Sequence, residues 1–111
     1  MSDQYFIPNL ETPNGQQLIN VPASVPVLLE LGFKASVAEK LCQDAINATL
    51  WASVRARRDA LVSQTDWTQM PDSPLSAEKK AEFAAYRQAL RDIPQTFKKP
   101  DEVDWPPVPA L

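Results

Sequence analysis

Apolar positions change spacing twice along this 111-residue chain, and each change marks a new kind of structure. In residues 1–33 they come as short β-prone runs, Tyr5-Phe6-Ile7 and Gln17-Leu18-Ile19-Asn20-Val21, on either side of Asn14-Gly15. An Asn-Gly pair between such runs predicts a type I′ turn and a loose hairpin. Pro8, Pro13, Pro22 and Pro26 confine any strands here to edges, or to pairing with another chain. The region therefore reads as an extended arm with room for one small hairpin. A coil that orders only on contact with its partner is the competing reading.

From Val27 to Met70 no proline occurs, so a helix can run unbroken. Ser36-Val37-Ala38-Glu39 has the form of a capping box and predicts the helix start, after a chain reversal at Gly32. The apolar residues then follow two faces. Val37, Leu41, Ala45, Ala48 and Ala52 lie on one, and Cys42, Ile46, Leu50, Val54 and Leu61 on nearly the opposite one. Either one long helix is buried on both sides, or the helix breaks at Asn47-Ala48-Thr49, and the break is preferred. Thr65-Asp66 then stops the helical run near Gln64.

Pro71 and Pro74 stiffen the next segment, which presents Trp67 and Met70. Ser76 is a suitable N-cap, and Glu78 meets the positive end of the helix dipole. Phe83, Tyr86, Leu90 and Ile93 form one apolar stripe, and Pro94 ends the helix. The closing Trp105-Pro106-Pro107-Val108-Pro109 favours a polyproline II path, with Trp105 docking back on the helices. The predicted fold is mainly α: a helical hairpin of two to three helices, an extended N-terminal arm and a proline-rich C-terminal tail. Its divisions are residues 1–33, 34–94 and 95–111. The apolar stripe of the third helix is too small to offset the entropy of ordering it, so that helix must pack on the second.

Composition removes most chemistry. The net charge of −3 disfavours a general nucleic-acid binder, which needs a basic surface to displace counterions. Arg55, Arg57 and Arg58 read mainly as a solvated, ion-paired helix face. No apolar run reaches the roughly 18 residues of a membrane span, and the first residues lack a signal peptide's basic and apolar stretches. Synthesis and action in the cytoplasm are expected. There is no histidine, and the lone Cys42 among Leu41, Ala45 and Ile46 reads as a small buried thiol. Two glycines seventeen residues apart cannot form a phosphate loop. Asp101, Glu102 and Asp104 lie in a tail with no pocket implied. No catalytic residue, metal ligand or cofactor site is assigned.

Several stretches match a known pattern in order: Arg57-Arg58-Asp59-Ala60-Leu61, Asp66-Trp67-Thr68-Gln69, Pro71-Asp72, Pro74-Leu75-Ser76 and Tyr86-Arg87-Gln88-Ala89-Leu90-Arg91-Asp92-Ile93-Pro94. Together with Val103-Asp104-Trp105-Pro106 they resemble the phage tail assembly chaperone module, shared with tail-fibre assembly proteins. The resemblance implies a non-enzymatic protein that binds a tail or tail-fibre polypeptide in the host cytoplasm until it assembles. Retention in the virion tail as a structural component is the alternative. Residues 1–50 depart from the pattern, and in these proteins that half is expected to determine which client is held. Gln95–Pro100 replaces a stretch that often contains glycine.

The residues expected to touch a partner are Trp67, Met70, Tyr86, Trp105, Tyr5 and Phe6, since exposed aromatics dominate binding energetics. Trp67 and Trp105 also have structural readings, pinning the turn and the tail, and Trp51 reads as core. No membrane or nucleic-acid partner is expected, and a homo-oligomer stays open.

Overall fold

The computed structural model describes residues 4–111; the first three residues of the expected arm lie outside it. By internal contacts the chain divides into Met1–Trp51 and Ala52–Leu111, with the seam inside a helix.

In the first unit, β1 (Phe6–Glu11) and β2 (Gln17–Pro22) pair antiparallel, with Ile7 opposite Val21 and Leu10 opposite Leu18. The connection is not the expected type I′ turn. Thr12 N–H donates to Gln16 O at 2.9 Å, and Gly15 N–H donates to Thr12 O at 2.9 Å. Type I′ needs positive φ at both central residues, whereas here only Gly15 has it, at +90°. The result is a three-residue loop: Pro13 and Asn14 occupy a type I turn, and Gly15 takes the left-handed position after it. The Thr12 hydroxyl donates to Asn14 Oδ1 and accepts from Gln16 N–H at 3.0 Å, which closes the loop.

Ile7 and Leu10 are both buried, although residues three apart face opposite ways in a regular strand. The phase slips between them. Pro8 brings no N–H to the ladder, and across from it Asn20 takes φ +53°. Pairing resumes on the shifted phase, and Ala23 N–H donates to Tyr5 O at 2.8 Å. The slip aims Ile7, Leu10, Leu18 and Val21 at one core, with Leu28, Ala38 and Cys42. Burial pushes the Cys42 thiol up from its ordinary pKa.

A helix, α1 (Val25–Glu30), stands where the sequence suggested extended arm. Pro26 does not prevent it, because a proline in the first turn removes an N–H that has no helical partner. The helix ends in a Schellman motif, with Gly32 N–H on Leu29 O and Phe33 N–H on Leu28 O, both at 3.1 Å. Gly32 holds φ +102° to make it.

The next helix, α2 (Ala35–Gln64), is continuous over 30 residues, about 45 Å. The preferred break at Asn47-Ala48-Thr49 is therefore corrected. Instead of capping a second helix, the Thr49 hydroxyl donates back to Ala45 O at 3.1 Å, and Asn47 accepts from Gln43 at 3.1 Å. The two apolar faces are unequal: Cys42, Ile46, Leu50, Val54 and Leu61 are buried or half-buried, while Val37, Ala48 and Ala52 of the other face are exposed. The first half buries Ala38 and Cys42, while Val54, Leu61 and Val62 are half-buried in the second. The capping box is also corrected: Ala38 N–H already bonds Lys34 O at 2.8 Å, which puts Ser36 inside the first turn.

The second unit continues with a 3₁₀ turn (Asp66–Gln69), α3 (Ala77–Arg91) and the single-turn α4 (Ile93–Thr96). The expected two to three helices thus become four. Ser76 caps α3 as anticipated, accepting from Lys79 N–H at 3.1 Å. Pro94 stops α3 at Arg91 by withholding an N–H from Leu90 O, and the chain restarts as α4. A short 3₁₀ turn (Pro100–Glu102) follows, and neither helix nor strand forms beyond it.

A Cβ at Gly32 meets only the Pro13 ring, Cγ at 3.7 Å and Cδ at 3.9 Å, so the cost of substitution is backbone strain and not collision. Gly32→Ala is expected to lower stability by about 1–2 kcal/mol in urea denaturation. An unchanged midpoint shows that the left-handed turn is not needed.

Candidate partner-binding site

The end of α2 sets the geometry of the second unit. A helix C-terminus leaves carbonyls without intrahelical partners. The Thr65 hydroxyl reaches back to Leu61 O and Val62 O, each at 3.0 Å, and Thr65 N–H donates to Val62 O at 3.1 Å. Arg87 of α3 completes the cap. Its Nη1 donates to Val62 O at 2.6 Å and to Thr65 Oγ1 at 2.9 Å, and its Nη2 pairs with Asp66 Oδ1 at 2.8 Å. Arg87 is only 8% exposed, and its charge favours the negative end of the α2 dipole.

The turn is fixed by the same network. Thr68 is fully buried and donates to Thr65 O at 2.6 Å. Gln69 Nε2 ties the turn to α3 through Lys80 O at 3.0 Å. Met70 N–H bonds Trp67 O at 3.3 Å, and Ser73 N–H bonds Met70 O at 3.0 Å. Behind the turn, Phe83, Tyr86, Leu90 and Ile93 are buried, as their spacing predicted.

On this braced segment Trp67 is 41% exposed and Met70 is 52% exposed. The Trp67 ring lies against Phe83 in a tilted contact, centroids 6.4 Å apart, so one edge of the indole rests on the core and the rest faces outward. Holding two apolar side chains in water on a rigid turn costs solvation without aiding the core, which is the usual mark of a contact surface.

The other candidates fall elsewhere. Tyr86 is interior, 5% exposed, and so does not present the surface expected of it. Trp105 is half-buried, with the Arg57 guanidinium 4.2 Å above its ring, so this arginine stacks on an aromatic face while Arg58 pairs with Asp59. Trp51, expected in the core, is also half-buried. Tyr5 and Phe6 belong to the first unit, where Tyr5 lines an open cleft of about 310 Å³ with Gln4, Pro22, Ala23, Ser24 and Ile46. Arg87 was absent from the sequence candidates. Its position was the available signal, since it stands between Phe83, Tyr86 and Leu90 on the buried stripe.

Among the described residues no group of three or more Cys, Asp or Glu could hold a metal, and no helix is long and apolar enough to cross a membrane. What the second unit offers is contact: an indole and a thioether on a polar clamp, at the joint of two helices. Residues 51–110 match the family model of the phage tail assembly chaperone protein, over almost the same span as this unit. The chain belongs to that family. It is also similar to protein CV0426 from Chromobacterium violaceum, known from a solution structure. The identity is 36%, over 95% of this chain and 99% of that one, with a TM-score of 0.49. No curated protein matches.

Arg87→Lys keeps the charge but cannot hold three acceptors in one planar fork. It is expected to cost about 1–3 kcal/mol in urea denaturation, with loss of amide protection at Thr65 and Thr68 in hydrogen exchange. Wild-type stability and protection in this variant show that the clamp does not hold the turn.

Proposed function

We propose that this protein is a non-enzymatic chaperone that holds a phage tail or tail-fibre polypeptide until it is built into the particle. Membership of the tail assembly chaperone family supports a role in tail assembly. The observation that carries the more specific reading is Trp67 and Met70, exposed on a turn that the Arg87 clamp braces. An anchor already held in its binding geometry loses little entropy when a partner covers it. The client lays an apolar segment across these two side chains, with Phe83 behind the indole.

The second reading is a permanent tail, baseplate or fibre component. The network of Thr65, Asp66, Thr68, Gln69 and Arg87 favours it to this extent: a clamp of this kind suits a lasting joint as well as a transient grip. Purified particles separate the two. A transient chaperone is absent from them, and a structural part is present in fixed stoichiometry.

The double variant Trp67→Ala/Met70→Ala is expected to keep the helical circular dichroism signal and to melt somewhat lower, through the lost Trp67–Phe83 contact. Its affinity for the tail or tail-fibre polypeptide encoded beside it should fall by about tenfold or more, measured by calorimetry. Undiminished affinity in a folded double variant removes this surface from the account. Failure of the wild-type protein to bind any tail or fibre polypeptide removes the function itself.

A further inference from the structure

The hairpin of the first unit has a second surface that the turn of Trp67 does not explain. In an antiparallel hairpin packed on one side, the residues facing away from the core are ordinarily polar. Here the core side is set by Ile7, Leu10, Leu18 and Val21, so the outward pairs include Phe6 with Pro22 and Asn9 with Ile19. Ile19 is 74% exposed and Phe6 is 44% exposed, and Pro8 and Pro22 are exposed as well. A third outward pair, Glu11 with Gln17, is polar and lies at the turn end, so the apolar outward positions Phe6, Ile19 and Pro22 gather toward the open end of the hairpin. A β-branched residue held this openly on a strand gains nothing from the fold of its own unit. Within their own unit, α1 and α2 supply the other side of the hairpin, through Leu28, Ala38 and Cys42, and leave Phe6 and Ile19 exposed.

Charge narrows the occupant. Residues 1–33 contain Asp3, Glu11 and Glu30 and no lysine or arginine. Over Met1–Trp51 there are five carboxylates against two lysines, while Ala52–Leu111 carries nine of each sign. The whole net charge of −3 therefore belongs to the unit that carries this face. A second copy would bring the same negative charge to the contact, which disfavours self-pairing. A segment with lysine or arginine beside its apolar residues finds an attractive field here instead.

We infer that the outward face of the β1–β2 hairpin, centred on Phe6 and Ile19, is a second docking surface for the client, and that it takes an apolar segment flanked by basic residues. This rests on the chaperone reading above. It adds a separate point of contact, in the half of the chain that lies outside the family match. Two modest contacts on one client raise overall affinity beyond either alone when both engage together.

Two substitutions at one outward position separate apolar contact from charge: Ile19→Lys and Ile19→Glu, in the full-length protein. Both remove the same apolar side chain, which stands 74% exposed and outside the core. With the neighbouring tail or tail-fibre polypeptide as probe, calorimetry should show about a tenfold or greater loss of affinity for Ile19→Lys. The loss for Ile19→Glu should be smaller, and added salt should narrow the gap between the two. Circular dichroism melts of both variants should match wild type. If both bind as wild type does while Trp67→Ala/Met70→Ala does not, this face is no docking surface and the chaperone reading stands. If both lose affinity equally and salt has no effect, the basic occupant is wrong. A wild-type dimer that Ile19→Lys converts to monomer makes the occupant a second copy. If the wild-type protein binds no tail polypeptide, the chaperone reading fails, and this inference fails with it.

Discussion

A guanidinium from α3 reaching the open end of α2 is the interaction on which the second unit turns. Arg87 adds a charged donor to Val62 O and to the Thr65 hydroxyl at the helix end, and it fixes Asp66 at the start of the turn. Removing it takes a charged donor from Val62 O and the buried Thr65 hydroxyl, while Asp66, 53% exposed, turns to water. The apolar stripe of Phe83, Tyr86, Leu90 and Ile93 supplies bulk stabilisation, but such contacts have no direction. The charged clamp supplies direction, because a planar fork meets three acceptors in one arrangement only. Trp67 and Met70 owe their fixed presentation to it.

The first unit solves a different problem, with few residues and no such clamp. Its two strands are too short to be stable alone, so they must cover a helix face. Regular alternation would put Ile7 and Leu10 on opposite sides and leave half of that small core in solvent. Pro8 and the left-handed Asn20 let the strand phase slip so that both can be buried. The Schellman turn at Gly32 then returns the chain into α2. Each device is local, and together they let the first half of α2 acquire a cover.

The sequence made parts of this legible because some signals act over a few residues. The Ser76 cap, the stripe at Phe83 and Tyr86, the stop at Pro94 and the presence of a hairpin about Asn14-Gly15 depend on near neighbours. The continuity of α2 was hidden because Asn47 and Thr49 have side chains that suit a cap or a back-bond equally, and tertiary packing decided between them. α1 was hidden because Pro26 reads as a breaker until its place in the first turn is known. For the candidate site, the position of Trp67 and Met70 on a stiff segment was readable from Pro71 and Pro74. Arg87 was not, because charge suggested the surface while only its register pointed inward. Tyr86 shares that register, which puts it beneath the surface it was expected to form.

Cys42 has a consequence for where such a protein can work. Its thiol is 7% exposed, its pKa is pushed up by burial, and the chain holds no other cysteine with which it could cross-link. The thiolate needed for oxidation or exchange is therefore scarce and shielded. Passage from a reducing to an oxidising medium changes no bond in this fold.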